Sequence, residues 1–110
     1  MNPLNGYRLM WIMVMFDLPV ITDNERKSAS GFRNFLLDEG FEMSQYSVYL
    51  RFIGERDKLK PYVQRIKTHV PDSGDVTILF FTDRQFAESV FICNRKLQKT
   101  EKKPVQLMLF

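Results

Sequence analysis

Apolar residues run without a break over positions 9–16 and then meet one acid, Asp17, two residues before Pro19. A short apolar run closed by a turn residue predicts a strand, and unbroken apolarity predicts that both its faces are covered, as at the centre of a sheet. Asp17 then stands at the carboxyl end of that strand, where it either serves metal or phosphate chemistry or simply opens a turn. The pattern next changes to a helical period. Thr22 and Glu25 have capping-box spacing, and Ala29, Phe32, Phe35 and Leu36 share one face, predicting a helix to about Glu39 that Gly40 ends.

Positions 41–53, FEMSQYSVYLRFI, are aromatic and β-branched, and long for one strand. They read either as a single strand or as a hairpin bent near Ser44, Gln45 and Tyr46. Leu59, Val63, Ile66 and Val70 predict a second helix over 57–69, with Pro61 tolerated in its first turn. The apolar stretch 76–81 predicts another strand, central by its lack of polar residues, and Thr82 to Gln85 break it. A short edge strand is expected over 88–93. Positions 1–7 read as a loose leader and 94–104 as a basic linker. The final VQLMLF reverts to strand character and needs a host, for which a partner subunit is the natural choice.

With the hairpin, the order is βαββαβ: an α+β, ferredoxin-like sandwich over 1–93, with a C-terminal strand after the basic linker in 94–110. Both helices fall on one sheet face. The other, lined with large side chains, would be bare in a monomer, which predicts a homodimer stacked sheet to sheet.

At 110 residues, 45% of them hydrophobic, the chain suits one modest core. A single cysteine, Cys93, and a single histidine, His69, leave no internal disulfide and no zinc cluster. That cysteine usage suits a cytoplasmic protein. The run at 9–16 falls short of the roughly 18 apolar residues of a membrane span, and Asp17 and Pro19 follow it where a signal peptide would have small residues. Cys93 reads as a buried small apolar residue and His69 as a partner for a helix C-terminus.

The formal charge is +3, a mild basic bias. Arg8, Arg26, Lys27, Arg33, Arg51, Arg84, Arg95 and Lys96, with the lysines that follow, are candidate phosphate contacts, although a basic helix face is more often merely solvated. Tyr46 and Tyr49 could stack on bases or bury at an interface.

MFDLP at the end of the first strand, FLLDEGF, QYSVYLRF and GDVTILFFT together resemble the small CRISPR-associated adaptation protein, a family described both as a ferredoxin-like partner of the CRISPR integrase and as a metal-dependent endonuclease. The resemblance spans residues 7–91. It implies that Asp17 is the strand-end metal ligand and catalytic residue, that Pro19 forms the turn after it, and that Ser47 and Val48 are structural residues of the second strand. One carboxylate makes a thin Mg2+ site. The expected arrangement is therefore a single Mg2+ or Mn2+ shared by two Asp17 side chains across a dimer axis. The resemblance implies a homodimer that bridges integrase subunits and binds duplex DNA during spacer acquisition, with Mg2+-dependent phosphodiester cleavage as an added activity. The alternative is a stand-alone, metal-dependent endoribonuclease of toxin type acting on single-stranded RNA. A small-ligand regulatory module ranks lower, because no Gly-rich ligand loop is visible.

Overall fold

A computed structural model describes residues 8–94 and 96–98, the last three in backbone only. The expected leader at 1–7, Arg95 and the terminal strand within 99–110 lie outside the described residues. The first strand, β1 (Leu9–Asp17), leads into α1 (Asp23–Asp38). The Thr22 hydroxyl accepts from the Glu25 N–H, and the Glu25 carboxylate accepts from the Thr22 N–H, so the capping box forms as the spacing predicts. At the other end Gly40 takes φ +90°, and the Gly40 and Phe41 N–H groups donate to Leu37 and Leu36. This closure satisfies the last carbonyls and folds Phe41 back into the core.

The stretch 41–53 is a hairpin: β2 (Glu42–Gln45) and β3 (Val48–Glu55) joined through Tyr46 and Ser47. Ser47 adopts φ 63°, the conformation a turn usually assigns to glycine. It is thus a turn residue, where the sequence reading placed it inside a strand. A 3-10 turn (Arg56–Lys58) enters α2 (Leu59–His69), and β4 (Asp75–Thr82) follows.

The sheet order is β2-β3-β1-β4, antiparallel throughout. Each helix therefore connects strands separated by a third, giving the ferredoxin-like α+β fold. As predicted, β1 is central. β4 is an edge of this sheet, contrary to its central placement from apolarity alone: Phe80 is exposed on one face and Leu79 on the other.

Ile12, Val14, Tyr49 and Ile53 pack under Phe32, Leu36 and Ile66 to form the main core. The opposite face is not bare. Thr82 and Gln85 form a second capping box that starts α3 (Asp83–Ala87), a helix the sequence reading passed over as a strand break. α3 lays Phe86 on Trp11 at 4.0 Å between ring centroids, and the Trp11 indole N–H donates to Asp83 at 2.8 Å. Phe91 joins this second core from β5 (Phe91–Cys93), which pairs with β6 (Lys96–Gln98) in a separate two-stranded sheet. Cys93 is exposed there, not buried as the sequence reading had it. Only the far end of the face stays open, where Met15 and Leu79 remain 39% and 42% exposed.

Candidate active site

That open end carries the acids. Side chains alternate along β1, so Trp11, Met13, Met15 and Asp17 share the face turned away from α1 and α2. In the β1–β4 register Met13 lies opposite Leu79, Met15 opposite Thr77, and Asp17 opposite Asp75. Residues so paired have Cβ atoms about 4.5–5.5 Å apart, and like charges there repel. Both carboxylates are exposed, and neither forms an ion pair or hydrogen bond among the described residues. Asp75 is the residue that sequence reasoning missed. Its acid stands visibly at the start of GDVTIL, but only strand register places it against Asp17.

The loop before β4 holds this edge tightly. Gly74, at φ +96°, packs so close that a Cβ would come within 2.7 Å of the Asp17 carbonyl oxygen. On the other flank, the Phe16 N–H donates to the Ser47 carbonyl at 3.1 Å, fastening the β2–β3 turn beside the end of β1. Met15, Asp17, Tyr46, Val48, Asp75 and Thr77 line a shallow depression of about 220 Å³.

No third His, Cys, Asp or Glu joins the two acids among the described residues. A hard cation that keeps most of its waters and takes one or two carboxylates suits this donor set; a zinc cage does not. The donor set is thus compatible with Mg2+ or Mn2+, which Asp17 and Asp75 would be the residues to hold.

The basic residues singled out in the sequence are mostly engaged elsewhere. Arg26 donates to the Val20 and Ile21 carbonyls and pairs with Asp23, bracing the loop after β1. Arg33 donates to the Tyr49 hydroxyl at 2.7 Å, Arg84 pairs with Glu88, and Arg51 reaches the Glu39 carbonyl and the Tyr62 hydroxyl. Arg8 is exposed and has a partner. Lys27 stays unpaired among the described residues, as do four cations that sequence reasoning left out: Arg56, Lys58, Lys60 and Lys67. Lys60 and Lys67, seven positions apart in α2, share one outward stripe. His69 stacks on Phe35 at 3.8 Å, with Nδ1 2.8 Å from the Arg65 carbonyl at the end of α2.

Residues 10–89, which include both acids and the β2–β3 turn, match the model of the family "CRISPR associated protein Cas2". The chain belongs to the Cas2 family. It is similar to the CRISPR-associated endoribonuclease Cas2 of Paracidovorax avenae, with 50% identity over 107 residues, 97% of this chain and 99% of that protein. The protein of the same name from Flavobacterium psychrophilum is 43% identical over 107 residues, 97% of this chain and 93% of that one. The Streptococcus mutans protein of that name is 39% identical over 83 residues, 76% of each chain. As a Cas2-family member the chain is CRISPR-associated, and no described helix is long and apolar enough to cross a membrane.

Proposed function

We propose that this Cas2-family chain is a cytoplasmic, metal-dependent endoribonuclease that works as a homodimer on single-stranded RNA. One observation carries the reading: Asp17 and Asp75 face each other across two paired strands, and no basic side chain among the described residues pairs with either. Directly opposed like charges destabilise a sheet, so their placement is explained by a cation that both can hold. The names of the relatives point to the same chemistry. Mg2+ or Mn2+, when bound, supplies the positive charge that eases attack on a phosphodiester. The chain's own part is to fix the two acids on rigid strand ends and to keep the open apolar face beside them for a second copy. Stacking two such faces about a two-fold axis would bring two Asp17 side chains to one shared ion.

A second reading rests on a different feature. Lys27, Arg56, Lys58, Lys60 and Lys67, none of them paired among the described residues, lie on the helical layer, on the sheet face opposite the acids, where cations give affinity for a phosphate backbone without base readout. This supports a dimer that holds duplex DNA and bridges CRISPR integrase subunits during spacer acquisition.

One comparison tests both. Wild type, Asp17→Asn and Asp75→Asn are assayed on a single-stranded RNA oligomer with Mg2+, Mn2+ or EDTA. The nuclease reading expects metal-dependent cleavage that falls on the order of 100-fold or more in Asp17→Asn, with a clear drop in Asp75→Asn. RNA left intact by wild type, together with tight duplex DNA binding that Asp17→Asn retains and co-elution with integrase, would leave the bridging reading standing instead.

A further inference from the structure

QYSVY carries two tyrosines, and the fold gives them opposite fates. Tyr49 is 1% exposed in the main core, with its hydroxyl held by Arg33. Tyr46 is 89% exposed at the hairpin tip, and its hydroxyl has no hydrogen bond among the described residues. A large aromatic side chain left this bare forgoes the burial that normally accounts for its presence. Its position is nevertheless fixed. Ser47 in the left-handed conformation sets the turn, the Phe16-to-Ser47 hydrogen bond ties that turn to the residue before Asp17, and Tyr46 lines the same depression as Asp17 and Asp75.

We propose that Tyr46 is a substrate-positioning residue: a base of single-stranded RNA stacks on its ring and holds the adjoining phosphodiester at the Asp17–Asp75 edge. The inference rests on the nuclease reading above and names what selects the substrate. An aromatic face offers a base stacking energy whatever the sequence, and a tyrosine with two side-chain torsions loses little freedom in doing so. It also discriminates by strandedness. Bases in a duplex are already stacked on both faces, whereas unpaired bases can splay out onto a side chain. Tyr46 thus favours single strands at a site whose acids alone would not distinguish them from duplex.

The test uses the full chain with Tyr46→Ala and Tyr46→Phe. Its substrates are a single-stranded RNA oligomer and the same oligomer with an abasic residue next to the cleaved bond. Tyr46→Ala is expected to raise KM about tenfold while kcat stays within roughly twofold, and Tyr46→Phe to retain wild-type KM, because the ring and not the hydroxyl does the stacking. On the abasic oligomer the three proteins should converge. Binding is read separately, without Mg2+, by quenching of a 2-aminopurine placed in the oligomer: wild type and Tyr46→Phe quench it, and Tyr46→Ala does not. Equal KM and equal quenching in all three would overturn the proposal, as would a Tyr46→Ala protein that sediments at half the wild-type mass, since the ring would then belong to a subunit contact. Loss of cleavage in wild type with the quenching pattern intact would defeat the nuclease reading while leaving the stacking platform in place.

Discussion

Gly74 shows how one backbone position can govern a site to which it contributes no side chain. Its φ of +96° lies where a β-carbon is strained, and the space a methyl would need is already taken by the Asp17 carbonyl at 2.7 Å and the Leu18 Cα at 3.0 Å. Backbone atoms at that distance cannot swing aside as the end of a flexible side chain would. Gly74→Ala is therefore expected to cost more than about 1 kcal/mol in urea unfolding, and to lower metal-dependent cleavage by moving the end of β1, although both carboxylates remain. A variant with wild-type stability and activity would show that the strand end yields freely. The glycine in PDSG was legible as a loop signal. What it makes room for was not, because the close approach joins residues 57 positions apart. The same limit hid Asp75. It hid as well the engagement of Arg26, Arg33 and Arg84, which read as free charge in the sequence and hold loops and helices in the fold.

Among the elements, those whose causes are local were readable. β1 and α1 follow from an apolar run and from a capping box closed by glycine, and both form where the pattern places them. No glycine or proline marks the β2–β3 turn, so the sequence alone supports both a single strand and a hairpin there; Ser47 takes the left-handed conformation itself. α3 is only five residues long, too short for periodicity, and its Thr82–Gln85 cap was the one available signal. The edge position of β4 depends on strand order, which apolarity does not encode. The opposite edge strand, β2, places Glu42 beside Leu50, on the face that carries the second core. Loss of water there raises the Glu42 carboxyl above its ordinary 4.5. The folded chain then binds this proton more tightly than the unfolded one, so stability falls as pH rises through the interval from 4.5 to the raised value, and the deficit persists at neutral pH. Glu42→Gln should accordingly melt above wild type at pH 7, with the gap closing as pH drops below 4.5. A gap of constant size across that range would trace the difference to something other than ionisation.

For the whole molecule the question is what covers the rest of the open face. α3 and β5 close the end near Trp11, leaving Met15 exposed beside the acid pair and Leu79 exposed four residues along β4 from Asp75, while the outer edge of β4 has no strand partner among the described residues. An apolar surface continuous with an unpaired edge favours association. Leu79 is the position to probe, because it is 42% exposed in one chain and would be covered in two stacked faces. In an isolated subunit Leu79→Glu places its charge in water and should change stability by less than about 0.5 kcal/mol. In a stacked pair it buries two like charges. The expected result is a native circular-dichroism spectrum, sedimentation at one subunit mass where wild type sediments at two, and loss of cleavage if the ion is shared between subunits. A variant that sediments as a monomer yet cleaves RNA at the wild-type rate would instead mean that Asp17 and Asp75 of a single chain suffice. The cross-strand acid pair, not the two-fold axis, would then be the unit of chemistry.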